Sequence, residues 1–165
     1  MAKQLTSQEI FGFLRPKQVE AISENSERIQ LSAGDTVYEQ GADADHFFTV
    51  LDGEVSLHLP GKGGVNVLIE QLTKGAMFGS CVCLQRGSYA LTARCTRDSV
   101  LLKVSSETLK KLMEKDLKMG YPLQARLSQI YFNRYIDTMK KLQSIILNLP
   151  LETVRPAPVN VPVGV

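Results

Sequence analysis

Residues 34–59 read GDTVYEQGADADHFFTVLDGEVSLHL, and the reading of this stretch decides the fold. Gly34-Asp35 supplies a turn. Thr36 to Gln40 is strand-like and stops at Gly41. His46 to Leu51, HFFTVL, is rich in the aromatic and β-branched residues that suit a pleated surface. Asp52-Gly53 follows, the dipeptide most typical of a tight hairpin. The return strand, Glu54 to Leu59, sets Val55, Leu57 and Leu59 on one face and Ser56 and His58 on the other.

The same pattern extends outward. Ile29 and Leu31 alternate with polar neighbours before the first turn. Pro60 to Gly64 is a flexible turn, after which Val65, Val67 and Ile69 alternate with Asn66, Leu68 and Glu70. Val100 to Val104 makes a last strand. Roughly eight short strands joined by turn residues predict a mainly β jelly roll or small barrel.

Helical periodicity flanks the strands. Thr6-Ser7-Gln8-Glu9 resembles an N-cap ahead of Ile10, Phe11, Phe13 and Leu14, and Pro16 suits the first turn of a second helix carrying Val19 and Ile22. Ser105 or Ser106 caps a later helix, with Leu109, Leu112 and Met113 on one face, running to about Asp116. Gly120 is expected to interrupt it. Pro122 is expected to restart a long helix from about Leu123 to Asn148. Within that helix Tyr135, Met139, Leu142, Ile146 and Leu149 recur at spacings of 4, 3, 4 and 3. That is the stripe of a helix seam. Leu123, Leu127, Ile130 and Tyr131 lie on a different face. Two apolar faces suggest two tasks, one against the chain's own roll and one against a second copy.

Composition excludes several classes. A net charge of +2, from 19 basic and 17 acidic residues, is too small for an electrostatic nucleic-acid partner. Lys110, Lys111, Lys115 and Lys118 alternate with Glu107, Glu114 and Asp116 and read as a solvated helix face. No apolar run approaches the ~18 residues of a membrane span. The N-terminus has no signal-peptide pattern, so a cytoplasmic location is expected. Cys81, Cys83 and Cys95 are too few for a disulfide framework and read as small core residues. A metalloenzyme of the cupin type needs more histidines than His46 and His58, which lack the paired His-x-His spacing. Ser80 and Ser88 have no candidate base, and Gly61-Lys62-Gly63-Gly64 lacks the Ser/Thr and helix of a phosphate-binding P-loop. No catalytic or metal site is expected. Residues 150–165, rich in Pro and Val, are expected to be extended or disordered, and too short for a DNA-reading domain.

The other informative stretch is residues 75–96, GAMFGSCVCLQRGSYALTARCT. With its Phe78-Gly79 pair, the ordered set Gly34, Gly41 and Asp52-Gly53-Glu54, and the closing segment LTARCTRDSVLLKVSSETLKKLM, the chain resembles a cyclic-nucleotide-binding domain. This is the type found in catabolite-activator transcription factors, kinase regulatory subunits and nucleotide-gated channels. The resemblance runs from about Ile10 to Met139. It implies an eight-stranded antiparallel β-roll, mainly β with α, flanked by N-terminal helices and two C-terminal helices. The domain would occupy residues 1–149, with the roll at about 27–104 and the C-terminal helices at about 105–149.

The resemblance also implies a phosphate-binding cassette, a short helix whose N-terminal N–H groups face an anion. In the family a glutamate directly after Phe-Gly takes the ribose hydroxyl, and a later arginine pairs with the cyclic phosphate. The matching positions here are Ser80 and Tyr89, followed by Ala90, Leu91 and Thr92 as the exit strand. Arg86 falls three residues before the arginine position. The implied ligand-contacting set is therefore Phe78, Gly79, Ser80, Cys81, Arg86, Ser88, Tyr89, Ala90 and Thr92, with both charged anchors replaced. Two lost hydrogen bonds to charged groups weaken binding by about 10²- to 10⁴-fold. The expected function is a non-catalytic regulatory domain that takes no cyclic AMP or cyclic GMP in the usual way. It would need no cofactor. Its signal would pass through a homodimer or a protein partner on the helix around 123–149, chiefly Tyr135, Met139, Leu142 and Ile146. The alternative is a true receptor with a rearranged cassette using Arg86, Ser80 and Ser88.

Overall fold

A computed structural model describes residues 10–79 and 87–148. Within these residues eight strands form two four-stranded antiparallel sheets. They are β1 (Ser26–Leu31), β2 (Thr36–Tyr38), β3 (His46–Asp52), β4 (Glu54–Pro60), β5 (Asn66–Thr73), β6 (Met77–Gly79), β7 (Thr92–Cys95) and β8 (Ser99–Ser105). One sheet has the order β1-β8-β3-β6 and the other β2-β7-β4-β5. This is the β-roll the sequence predicts.

Strand β3 shows why HFFTVL is apolar throughout. Phe48 and Val50 point into the space between the sheets, with Val55, Leu57, Leu72, Phe78, Ala93 and Leu101. Phe47 and Leu51 point the other way, into a second cluster with Leu102 and Val104. A strand covered on both faces cannot alternate apolar with polar. At β3–β4 the turn glycine Gly53 has φ +89°, and an added Cβ would lie 2.3 Å from the Asp98 carbonyl oxygen. The β4–β5 hairpin reaches past this core, so Leu59, Val65, Val67 and Leu68 are exposed. Leu59 thus leaves the buried face that the alternation gave it.

Helices cover the outer side of the first sheet. Helix α1 (Pro16–Glu24) places Pro at its first position and buries Val19 and Ile22. The N-terminal helix predicted from Thr6 falls largely outside the described residues, and Ile10–Phe13 form a turn. Helix α2 (Ser106–Lys115) is capped by Ser105, whose hydroxyl accepts from the Thr108 N–H, and buries Leu109 and Met113.

The last helix, α3, runs from Leu117 to Asn148. It begins earlier than the sequence reading, which broke it at Gly120. Asp116 explains the start: its Oδ1 accepts the N–H groups of Lys118 (3.0 Å) and Met119 (3.2 Å), which is the work of an N-cap. The Gln18 amide hydrogen bond holds the Asp116 carboxyl below its usual range; burial opposes it, and the Met119 and Lys118 N–H groups add to the lowering. Pro122 sits inside the helix. It withholds the N–H that would meet the Lys118 carbonyl and sets its ring against that carbonyl, yet the helix continues through it. Gly120 stays helical because its missing side chain leaves room for the Met113 carbonyl.

Leu123, Leu127 and Ile130 are buried in the helix-side cluster, with Tyr131 packed against it. The chain divides into two compact units between Phe132 and Asn133. The described part of the second unit is helix, on which Tyr135, Met139, Leu142 and Ile146 are all exposed. Leu149 lies outside the described residues.

Candidate functional site

The interior of the roll is occupied by the protein's own rings. Tyr38, at the end of β2, stacks on Tyr89 with centroids 3.7 Å apart and planes 13° apart. Phe48 from β3 and Phe78 from β6 stack at 5.3 Å and 21°. Tyr38 bridges the two pairs, 5.8 Å from Phe48 and 6.0 Å from Phe78.

Tyr89 is the centre of this arrangement. Only 6% of its surface is exposed. Its hydroxyl donates to the His46 carbonyl at 3.0 Å and accepts from the His46 N–H at 3.2 Å. Both polar roles of the phenol are thus met by the first residue of β3. Burial pushes the phenol pKa up; the His46 bond opposes this, and the Asp45 charge adds a smaller push upward. The backbone around it is stitched to the loop after β2. The Gly41 N–H donates to the Tyr89 carbonyl, the Tyr89 N–H to the Ala42 carbonyl and the Ala44 N–H to the Gly87 carbonyl. Asp43 and Ser88 form the isolated bridge between these bonds.

The residues named from the sequence are only partly brought together. Phe78 and Tyr89 share the aromatic interior. Gly79 closes β6 opposite Phe47, with φ +98° and no space for a Cβ, which would lie 2.8 Å from the His46 carbonyl. Ser88 sits in the bridge to Asp43. Ala90 is exposed, and its carbonyl accepts from the Gln40 side chain at 3.1 Å. Thr92 pairs with His58 at the start of β7, on the face turned away from the rings, and its Oγ1 accepts the Gln40 N–H at 3.0 Å. The exit strand therefore starts at Thr92, and Ala90 and Leu91 are bends before it. Ser80, Cys81, Cys83 and Arg86 lie outside the described residues. Cys95 is a buried core residue, as read from the sequence.

Sequence reading missed Tyr38 and the His46 backbone. The available signal was Tyr38 itself, an aromatic residue at the end of a short strand facing the same interior as Phe48. Among the described residues no group of His, Cys, Asp and Glu could hold a metal ion. No helix among them is long and apolar enough to cross a membrane.

Residues 28–116, more than half of the chain, match the family described as Cyclic nucleotide-binding domain. The fold and this match define the class: the chain belongs to the cyclic-nucleotide-binding domain family. A putative cyclic nucleotide-binding protein from Geobacter metallireducens superposes with a TM-score of 0.70 at 21% identity, covering 81% of this chain and 97% of that one. The c-di-GMP-responsive global regulator CLP of Xanthomonas campestris superposes with a TM-score of 0.73 at 18% identity, covering 81% of this chain and 66% of that one. In sequence, the chain is 29% identical over 103 residues to lysophospholipase nte1 of Aspergillus oryzae. That match takes in 62% of this chain but spans only 6% of the lysophospholipase.

Proposed function

We propose that this chain is a non-catalytic regulatory domain whose roll is closed by its own side chains and does not take cyclic AMP or cyclic GMP in the usual way. One observation carries the reading. Tyr89, which the resemblance matches to the family's phosphate-pairing arginine, is buried, stacked on Tyr38 and bonded twice to His46. A cyclic nucleotide entering this space must expel that ring, giving up about 1.5–3 kcal/mol of burial before any contact is made. An anionic phosphate would then face aromatic rings with no arginine at position 89 to pair with it, and an unpaired buried charge is costly.

The output would be the geometry of a homodimer joined through Tyr135, Met139, Leu142 and Ile146. These are exposed on the second unit and spaced as a helix seam. A protein partner could read that dimer. The reading needs no nucleic acid, membrane or catalytic group, and a cytoplasmic location suits it.

The test is ligand-dependent melting of the natural chain beside a Ser80→Glu, Tyr89→Arg double variant. The reading expects no rise in melting temperature for the natural chain with cyclic AMP or cyclic GMP at millimolar concentration, and a rise for the variant. Binding at 100 times the dissociation constant would add about 2.7 kcal/mol of stability. A clear rise for the natural chain would instead favour the rearranged cassette of Arg86, Ser80 and Ser88. No rise for the variant would mean that Ser80 and Tyr89 are not the anchor positions.

A further inference from the structure

The second sheet has a polar outer face that the closed interior does not explain. Val55 and Leu57 on β4, and Ala93 and Cys95 on β7, point inward. Their alternates, Ser56, His58, Thr92 and Arg94, therefore share the outer face, paired as Ser56 with Arg94 and His58 with Thr92. With Glu39, Gln40 and Asn66, three of them (His58, Thr92 and Arg94) line a cavity of about 350 Å³.

Three properties set this cavity apart from an ordinary surface crevice. First, its wall is built. The Gln40 N–H donates to Thr92 Oγ1, and the Gln40 amide donates to the Ala90 carbonyl, which fixes the residue after Glu39 to the start of β7. Second, its histidine is oriented. Ser56 Oγ lies 3.2 Å from the Arg94 carbonyl and 2.8 Å from His58 Nε2; with its proton on the carbonyl, His58 Nε2 is the donor. That leaves Nδ1 as an acceptor, and Nδ1 is buried with no hydrogen-bond partner among the described residues. Third, opposite charges face one cavity without neutralising each other. Neither the Arg94 guanidinium nor the Glu39 carboxylate has an ion pair or side-chain hydrogen bond among the described residues.

We propose that this cavity is a binding site for a small zwitterion, an α-amino acid or a close analogue. The ligand carboxylate sits on Arg94, its ammonium group on Glu39, and its polar flank against Thr92, His58 and Asn66. Arg94 presents a planar fork that matches a carboxylate. Glu39 on another wall accepts from the ammonium. A simple anion would leave Glu39 facing like charge, and a simple cation would leave Arg94 so; only a ligand of both signs satisfies the two together. Because the site lies on the outer face, it stands whether or not the interior of the roll is closed.

The test is nitrogen-15 correlation spectroscopy of the full chain, titrated with each common L-amino acid in turn and with sodium acetate and ethylamine as single-charge controls. The expected result is a saturable shift of the Gln40, His58, Thr92 and Arg94 amides with at least one amino acid, exceeding that of either control. Arg94→Gln and Glu39→Gln should each weaken that binding about tenfold or more. Both residues are exposed, so unchanged melting temperatures will verify the fold. The proposal is overturned if no amino acid moves these amides at millimolar concentration. It is also overturned if acetate or ethylamine moves them equally, or if the two variants bind as the natural chain does.

Discussion

Tyr89 and Tyr38 lie face to face inside the roll, centroids 3.7 Å apart, and the Tyr89 hydroxyl holds both backbone groups of His46. Ring and hydroxyl contribute separately. Tyr89→Phe keeps the stack and strands the His46 N–H and carbonyl, so it should cost about 1–3 kcal/mol. Tyr89→Ala also removes the ring from a packed interior and should cost about 3–5 kcal/mol. Urea unfolding of the two variants separates the contributions. Equal losses would mean that the stack adds nothing.

The same hydroxyl gives the fold an alkaline limit. Burial raises the folded-state pKa of Tyr89, so the neutral phenol is favoured in the folded chain. Its contribution is complete below the unfolded value of about 10 and is lost as pH rises through the folded value. The Tyr89→Phe variant lacks this group. The stability gap between the two proteins should therefore narrow as pH climbs above about 10. A gap independent of pH would show that the Tyr89 phenol does not ionise differently in the folded state.

Gly120 reverses an ordinary rule. Gly→Ala inside a helix usually stabilises by about 1 kcal/mol. At Gly120 an added Cβ would lie 2.4 Å from the Met113 carbonyl oxygen and 3.0 Å from its carbon. The helices α2 and α3 must then separate, so Gly120→Ala should destabilise by about 1–3 kcal/mol. Thermal melting gives the sign directly, and any gain in melting temperature would contradict the close approach.

The roll was legible because its signals agree with one another. HFFTVL, Asp52-Gly53 and the alternation of β4 each point to the same hairpin, and the order of glycines around it points to the family. Gly120 was not legible, because a glycine that breaks a helix and one that admits a neighbouring backbone look alike in sequence. Asp116 carries the missing information as an N-cap, but in sequence it sits among alternating Lys and Glu residues that suit a solvated face. The resemblance puts Tyr89 at the family's arginine position, but no sequence signal gives the direction of its ring. That depends on Tyr38 and on the His46 backbone, which are distant in sequence from Tyr89 and reach it through the pairing of β2 with β7 and of the loop after β2 with residues 87–89.

The seam on the second unit yields the last expectation. Tyr135, Met139, Leu142 and Ile146 are exposed, and leaving four large side chains of one stripe in water forgoes their burial. Burying a Leu or Met side chain at a dimer interface returns about 1.5–3 kcal/mol. A charge placed there removes that gain and must itself be desolvated. Leu142→Glu should therefore give a monomer by light scattering at concentrations where the natural chain is a dimer. Its melting curve should then lose the concentration dependence that dimerisation imposes. Lys140→Glu controls for charge alone, because Lys140 pairs at 3.8 Å with Asp137 on its own helix rather than lying in the stripe. A natural chain that is monomeric at all concentrations, or a Leu142→Glu variant that still dimerises, would remove the seam as the route of the signal.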